Sequence, residues 1–174
     1  MSVFETERLV MRPWREDDAE NLYKYASDPE VGPAAGWPVH TSVGDSLRVL
    51  REVLIEDKTW AVTIKPSDEP VGSIGAFPTD ASGADGEPEI GYWIGRPYWG
   101  NGYIPEAVCA LIGHCFDEGA ENVWCSHFAG NDKSRRVIEK CGFRYVMTQP
   151  WQPTPEDTRD ALYYKITRKE WEHD

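Results

Sequence analysis

Several short stretches of the chain alternate apolar and polar residues, and this period of two predicts β-strands. In the first stretch, Leu9 and Met11 share one face, and Pro13 ends the pattern because proline cannot donate to a strand ladder. Seven strands are predicted in this way: Thr6 to Trp14, Trp60 to Ile64, Val71 to Phe77, Glu89 to Ile94, Asn122 to Phe128, Phe143 to Met147 and Leu162 to Thr167.

Other stretches repeat apolar residues every three or four positions, which is the period of a helix with one buried face. Ala19, Leu22 and Ala26 follow this spacing. Ser42 precedes Asp45 by three residues, a pairing typical of a helix N-cap. Four helices are predicted: one that ends before Asp28-Pro29, one from Ser42 to about Asp57, one from Tyr103 to Glu118 with Gly119 as its C-cap, and one from Asp132 to Cys141 stopped by Gly142.

The segments between these elements are expected to be loops. Residues 29–40 and 150–160 are rich in proline or glycine, and residues 79–88 are small and acidic, which predicts a solvent-facing hairpin loop. Strands and helices alternate without a repeat or a linker. The order predicts one α/β domain with a mixed sheet over residues 1–174.

The composition narrows the class of partner. Apolar residues make up 40% of the 174 residues, which excludes a disordered chain. The formal net charge of −12 repels phosphate backbones and anionic lipids, so we expect neither a nucleic-acid partner nor a membrane. The same charge favours a cationic substrate.

The four cysteines, Cys109, Cys115, Cys125 and Cys141, have no C-x-x-C spacing and no histidines at zinc-ligand intervals, so no metal is predicted. Charged residues near the N-terminus argue against a signal peptide, and no stretch approaches 18 uncharged apolar residues. Together these observations predict a cytoplasmic protein with reduced thiols.

The most informative segment joins a strand to a helix through a loop with Gly100 and Gly102. Glycine allows a ligand to approach the main chain, and the first amides of the next helix have no internal acceptor. Such a loop binds an anion, most often phosphate, although two glycines also suit a plain turn. A Walker A loop requires lysine after its last glycine, and this chain has Tyr103 after Gly102. A dinucleotide fingerprint requires a third glycine at the position where this chain has Pro105. The segment therefore suits a diphosphate of another kind.

A second motif begins at Asn131, where an N-cap is expected, and ends at Phe143. The pair YWGNGYIPEA and NDKSRRVIEKCGF resembles the acetyl-CoA-binding core of the GNAT N-acetyltransferases. The opening TERLVMRPWREDDAENLYKYASDPEV resembles the start of their RimJ/RimL-like branch. The resemblance covers about residues 6–167. It implies an α/β (α+β) fold with a mixed, mostly antiparallel sheet of about seven strands, flanked by about four helices and splayed at strands 4 and 5.

The resemblance also implies where acetyl-CoA binds. Main-chain amides of the glycine loop would hold the pyrophosphate: Tyr98, Trp99, Gly100, Asn101, Gly102, Tyr103 and Ile104. Trp93, Ile94 and Gly95 would line the pantetheine, with an N–H near Ile94 polarising the thioester carbonyl. Asn131 would hydrogen-bond the pantetheine. The family often has Arg or Gln where this chain has Pro97, with Arg96 beside it.

The catalytic residues are less defined by the resemblance. The family's general-acid tyrosine corresponds to Ile138, and Ser134 is the nearest replacement, although Ser134 also suits a purely structural role. A thiolate that solvent protonates needs no acid. Glu89 is the first candidate for the base that deprotonates the amine, and Asp160 is the other carboxylate placed well by fold analogy. Two further candidates are Glu87 and His127.

The acceptor pocket of the family lies under the loop between the first two helices, which here contains Trp37 and His40, and Trp151 lies on a later loop. The resemblance implies acetyl transfer from acetyl-CoA to a primary amine by direct attack in a ternary complex. The amine is either a protein N-terminal α-amine or a small cationic amine. The alternative is a non-catalytic acyl-CoA-binding or regulatory module. The sequence leaves the oligomeric state open, and a homodimer is one option.

Overall fold

The structure is a computed structural model that describes residues 1–57 and 59–173. Its strands are β1 (Phe4–Glu5), β2 (Leu9–Pro13), β3 (Trp60–Ile64), β4 (Pro70–Pro78), β5 (Pro88–Ile94), β6 (Asn122–Phe128), β7 (Arg144–Thr154) and β8 (Asp157–Thr167). They form one sheet in the order β1-β2-β3-β4-β5-β6-β8-β7. β5 and β6 are parallel, whereas β2 with β3, β3 with β4, β6 with β8 and β7 with β8 are antiparallel.

The described residues also form six helices. They are α1 (Ala19–Ala26), α2 (Gly32–Ala35), α3 (Val43–Val49), α4 (Tyr103–Asp117), α5 (Asp132–Lys140) and α6 (Arg168–Glu172). A π-helical turn, Leu50–Leu54, continues α3, and 3₁₀ turns occupy Glu16–Asp18 and Arg96–Tyr98.

The predicted α/β fold with a mixed, mostly antiparallel sheet is confirmed, with eight strands and six helices in the described residues where about seven and about four were expected. Local chemistry explains several of the element boundaries. The Asp45 amide donates to Ser42 Oγ over 3.0 Å, so Ser42 caps α3 as predicted. Gly119 adopts a φ of +102° directly after α4, which suits a C-cap.

The predicted loop at residues 150–160 is wrong, because this segment forms the tip of a long β7–β8 hairpin. Pro150 pairs with Asp160, and Trp151 pairs with Arg159. β7 is the last strand of the sheet. Since an edge strand leaves one row of amides outside the ladder, proline is tolerated there.

The expectation of a solvent-facing hairpin loop at residues 79–88 is confirmed only in part: the segment connects β4 to β5 and half of its residues are exposed, but three are buried. Thr79, Ala81 and Ala84 are buried, and the two alanines pack in one cluster with Trp124 and Tyr163. Their small side chains let the loop backbone come close to these two large rings.

The chain divides into two compact units, Met1–Gly75 with Tyr92–Ala110, and Ala76–Gly91 with Leu111–Asp174. The single domain over residues 1–174 stays a prediction. The core of the first unit contains Trp14, Leu22 and Leu50, with Trp37 and Trp93 packed against it. The core of the second unit contains the loop cluster of Trp124 and Tyr163. Within the described part of the chain, no helix has the length and apolarity required to cross a membrane.

Candidate active site

The glycine loop of the first unit leads from β5 into α4. Gly100 and Gly102 both have a φ of +76°, a conformation that favours glycine. A Cβ built on Gly100 would meet no atom within 4 Å, so space is open beside its backbone. The Asn101 side chain donates to the carbonyls of Tyr98 and Trp99, over 3.0 and 3.1 Å, and fixes the loop.

The amides of this loop divide into two groups. Those of Tyr98 and Trp99 donate to the carbonyls of Gly95 and Arg96 within the 3₁₀ turn, over 3.0 and 3.2 Å. The first amides of a helix have no acceptor within that helix, and the helix dipole is positive at this end. The predicted donors to a pyrophosphate therefore narrow to residues 100–104, at the start of the 15-residue helix α4.

Arg8 ties the start of the chain to this helix terminus. Its Nε donates to Glu106 Oε2 over 2.7 Å, and its Nη1 donates to the Asn101 carbonyl over 2.9 Å. Its guanidinium also lies 4.6 Å from the centre of the Tyr103 ring. These contacts hold the loop and the first turn of α4 in one arrangement before any ligand binds.

Gly95 and Arg96 have structural partners in the first unit. A Cβ on Gly95 would lie 2.4 Å from the ring of Tyr25, so only glycine fits this packing. The Tyr25 and Tyr98 hydroxyls lie 3.1 Å apart. Arg96 Nε donates to Asp28 Oδ2 over 2.8 Å, which engages this arginine with a carboxylate.

Glu89 lies on β5 in the second unit and is only 5% exposed. It accepts hydrogen bonds from Thr79 Oγ1, over 2.6 Å, and from Ser126 Oγ, over 2.5 Å. None of the ion pairs within residues 1–57 and 59–173 involves Glu89. Burial raises the pKa of Glu89; the two hydroxyls oppose this shift and the nearby Asp80 carboxylate adds to it. The second unit thus holds a buried carboxyl group whose hydrogen-bond donors are neutral hydroxyls and whose pKa is raised.

The other candidate bases have different surroundings. Glu87 accepts hydrogen bonds from Asn122 and from the Trp124 indole, which suits a structural role. His127 is buried, with Nε2 3.1 Å from the Tyr164 hydroxyl. Asp160 is exposed, and its backbone carbonyl accepts from the Ala129 amide.

Asn131 caps α5, as the sequence predicts. Its Oδ1 accepts the Ser134 amide over 3.1 Å. Ser134 is half-buried on the first turn, whereas Ile138, at the position of the family's tyrosine, is fully buried in the core. Capping explains Asn131 structurally, and the coenzyme and catalytic roles of both residues remain predictions.

Trp37 and His40 line a cavity of about 280 Å³ in the first unit, and Trp93 lines it as well. The Trp37 ring lies 5.6 Å from the Trp93 ring and 5.3 Å from the His40 ring. Trp151, the third predicted acceptor residue, belongs to the second unit and packs against Phe128 with ring centres 4.9 Å apart. The structure therefore brings two of the three predicted acceptor residues into one cavity.

In the described residues, the four cysteines form no disulfide. Burial raises the pKa of Cys115 to about 11 and that of Cys125 further, so both stay protonated at neutral pH. Groups of three or more His, Cys, Asp or Glu side chains able to hold a metal ion are absent from the described residues.

The profile of the acetyltransferase (GNAT) domain matches residues 8–144, which include the glycine loop, Glu89 and α5. The chain belongs to the GNAT acetyltransferase family. The sequence resemblance is thereby confirmed at the level of the family.

Two bacterial relatives illustrate this GNAT membership. "Uncharacterized N-acetyltransferase p20" of Bacillus licheniformis is 34% identical over 121 residues, 67% of each chain. "Putative ribosomal N-acetyltransferase YdaF" of Bacillus subtilis is 36% identical over 86 residues, 48% of this chain and 47% of YdaF.

Solved structures share the GNAT fold. An acetyltransferase (GNAT family) from Bacillus anthracis has a TM-score of 0.81 at 24% identity, covering 97% of this chain and 99% of its own. Microcin C7 self immunity acetyltransferase MccE, solved in complex with acetyl-CoA and AMP, has a TM-score of 0.74 at 18% identity, covering 93% of each chain. At these identities the likeness shows the fold.

Sequence reasoning missed several residues around this GNAT site. Arg8 and Glu106 are 98 positions apart, and Thr79 and Ser126 join Glu89 from separate segments. No local pattern connects such positions.

Proposed function

We propose that this GNAT acetyltransferase transfers acetyl from acetyl-CoA to a primary amine by direct attack in a ternary complex. The observation that carries the proposal is the loop at residues 100–104. It combines two glycines at positive φ, open space beside Gly100 and the N-terminus of the long helix α4. Main-chain donors at a helix N-terminus suit a pyrophosphate.

The residues present fit this cosubstrate. Amides of residues 100–104 would hold the pyrophosphate, and Trp93, Ile94 and Gly95 would line the pantetheine, with Asn131 as a further polar contact. When bound, acetyl-CoA supplies an acetyl thioester, which an uncharged amine can attack. The Gly95 amide donates to the Val71 carbonyl over 2.8 Å, so the proposed N–H for the thioester carbonyl is that of Ile94.

Glu89 is the proposed base. An amine must lose a proton before it attacks, and the buried Glu89 carboxylate has two hydroxyl donors and no cationic partner among the ion pairs of the described residues. A carboxylate with a raised pKa binds a proton more tightly than an exposed one. Glu89 would take the proton directly or through one water and then return it to solvent.

Ser134 is the proposed donor to the departing thiolate. It lies on the first turn of α5, where its own amide is held by Asn131 Oδ1. Direct attack fits the cysteines, because burial keeps the Cys115 and Cys125 thiols protonated and leaves them poor acyl acceptors. Four cysteines without a disulfide in the described residues also fit a reducing compartment such as the cytoplasm.

Two classes of acceptor remain open within this proposal. The name of YdaF refers to the ribosome and supports a protein N-terminal α-amine, as does the resemblance to the RimJ/RimL-like branch. The net charge of −12 supports a small cationic amine. A thiol-release assay over free amines and over short peptides with differing N-termini separates the two.

Substitution of the loop tests the cosubstrate. Gly102→Val places a β-branched side chain at a φ of +76° where the pyrophosphate would approach. We expect acetyl-CoA affinity, measured by calorimetry, to fall at least tenfold with the fold retained. Unchanged acetyl-CoA affinity of Gly102→Val would count against the loop as the coenzyme site.

Ser134→Ala should lower kcat and leave the affinity for acetyl-CoA nearly unchanged.

The second candidate is a non-catalytic acyl-CoA-binding module. Ile138 favours it, because a buried aliphatic side chain stands where the family's general-acid tyrosine is expected. This candidate predicts acetyl-CoA binding by calorimetry without thiol release on any amine. A single acceptor that releases thiol above the hydrolysis background would exclude it.

A further inference from the structure

The cavity in the first unit has walls that are nearly all apolar. Its volume is about 280 Å³, and its sides are formed by Leu22, Trp37, Val49, Val53, Leu54 and Trp93. Apolar cavities with a few placed polar groups are the usual form of small-molecule sites. The space is sufficient for a side chain of an amino acid and too small for a folded partner.

The two charged residues that line the cavity have opposite sign. Arg48 Nη2 lies 2.8 Å from Asp45 Oδ1, and Arg48 Nη1 lies 3.0 Å from Oε2 of Glu52, which is outside the lining. His40 is buried, with Nδ1 2.8 Å from Ser46 Oγ. Burial lowers the pKa of His40, and Asp45 and Arg48 act on it in opposite directions, so the ring is neutral at neutral pH. A cation gains little from entering such a space, because desolvation is not offset by a counter-charge.

The chain places this cavity next to the proposed coenzyme segment. Trp93 forms one wall, and the next residue, Ile94, carries the N–H proposed for the thioester carbonyl. The Ile94 carbonyl is fixed by the Trp99 indole over 3.0 Å, which joins the same strand end to the glycine loop. A group that fills the cavity is therefore held beside the strand end at which acetyl transfer is proposed.

We propose that this cavity binds an uncharged apolar group of the acceptor, so that the enzyme prefers amines carrying an aliphatic or aromatic side chain next to the reacting nitrogen. The inference rests on the proposed function for its reaction. It narrows both acceptor classes, since an N-terminal α-amine and a small amine can each carry such a group. Burial of one apolar side chain corresponds to about a tenfold to hundredfold preference.

Amino acid amides test this preference, because they share the α-amine and differ only in the side chain. We expect kcat/KM from thiol release to be about tenfold to a hundredfold higher for leucinamide and phenylalaninamide than for glycinamide. Lysinamide should be no better than glycinamide. Equal values for all four amides, or a preference for lysinamide, would overturn the proposal.

Variants that fill the cavity test whether the cavity is the cause of the preference for apolar amines. Val53 is 40% exposed at the wall of the cavity, so Val53→Trp adds bulk with little effect on the core. The preference for leucinamide should fall to within about threefold of glycinamide. Val49→Phe fills the cavity from α3 and serves as the second variant. Val43→Trp, on an equally exposed position of α3 outside the lining, should keep the preference.

Binding without turnover distinguishes this inference from the proposed function. Leucinamide added without acetyl-CoA should shift the indole N–H signals of Trp37 and Trp93 in NMR spectra, and Val53→Trp should abolish the shifts. Shifts without thiol release would keep the cavity assignment and remove the proposed reaction. Thiol release without shifts and without side-chain preference would keep the reaction and remove the assignment.

Discussion

Two buried ionisable side chains, one in each unit, have opposite surroundings. Arg12 is 4% exposed and donates all five N–H groups, to Asp18, to Asp68 and to the carbonyls of Pro13 and Asp68. Glu89 is 5% exposed, and the hydroxyl groups of Thr79 and Ser126 donate to its carboxylate. Burial alone therefore does not determine what a charged side chain does.

The partners make the difference. The hydrogen bonds and charge of Asp18 raise the pKa of Arg12, with Asp68 adding to the shift, so the cation is fixed in one state and joins β2 to the turn that follows it. Neutral partners leave the charge of the Glu89 carboxylate without a counter-ion, and burial raises its pKa. We infer that the first arrangement serves stability and that the second serves proton transfer.

The largest expected effect is on stability at Arg12. Arg12→Met leaves the Asp18 carboxylate buried without its cation, and such a loss lowers the free energy of unfolding by about 3–5 kcal/mol. Urea denaturation measures it. Arg15→Met is the control, because Arg15 also binds Asp68 but is 54% exposed, and it should cost less than about 1 kcal/mol. Similar losses in both variants would contradict the structural role of Arg12.

The next effect is on catalysis at Glu89. Glu89→Gln removes the proton acceptor, and we expect kcat for amine acetylation to fall about a hundredfold. The free energy of unfolding at neutral pH should not fall, because the variant no longer buries an acid. Asp85→Asn changes an exposed carboxylate of the loop that precedes β5 and should leave kcat unchanged. Full activity of Glu89→Gln would remove Glu89 from the mechanism.

A smaller effect is expected at the hydroxyls that hold Glu89. Ser126→Ala removes one donor to the carboxylate, so the pKa of Glu89 should rise further and the acidic limb of kcat/KM against pH should move to higher pH. The loss in unfolding free energy should be about 1–2 kcal/mol. If the Ser126 hydroxyl had only a structural role, its removal would lower stability without moving the pH profile. That result would contradict its proposed effect on the pKa of Glu89.

The smallest effect is the pH dependence of stability. Because its pKa is raised, Glu89 contributes stability below its ordinary pKa of 4.5 that is lost as the pH rises through its folded value. The advantage of Glu89→Gln over the parent should therefore grow as the pH rises. Asp68 has a lowered pKa, so Asp68→Asn should cost stability at neutral pH and nothing in acid. Denaturation of both variants and the parent between pH 3 and pH 8 measures these changes in stability. The prediction is contradicted if the effect of either substitution does not change with pH in the stated direction.

Local chemistry made much of the fold predictable. The bounds of α1 and β6 agree with the sequence pattern, and Ser42 and Asn131 cap their helices as expected. The glycine loop was predictable for the same reason, since its strand, two glycines and helix are contiguous. The restriction of the expected pyrophosphate donors to residues 100–104 was not predictable. The sequence pattern does not reveal that the amides of Tyr98 and Trp99 already donate within the 3₁₀ turn.

Long-range packing was not predictable. The proline at position 150 argued for a loop, and only the sheet order shows that β7 is an edge strand where proline fits. Ala81 and Ala84 pack against Trp124 and Tyr163, where small side chains are required. Small residues are equally typical of an exposed loop, so the composition of this segment did not reveal the packing. Arg12 and Glu89 lie in strands with the usual alternation of apolar and polar residues, so no local pattern distinguishes them. Their partners Asp68 and Ser126 come from distant positions in the sequence.

The π-helical turn Leu50–Leu54 has a consequence for how the selectivity of this enzyme could change. Val53 and Leu54 reach the cavity from this turn, in which the backbone holds one more residue than a regular helical turn. Removing one residue there would restore the ordinary winding within the turn and leave the residues beyond it in their present orientation. A single codon deletion could thus replace the part of the wall that Val53 and Leu54 supply without disturbing the chain that follows.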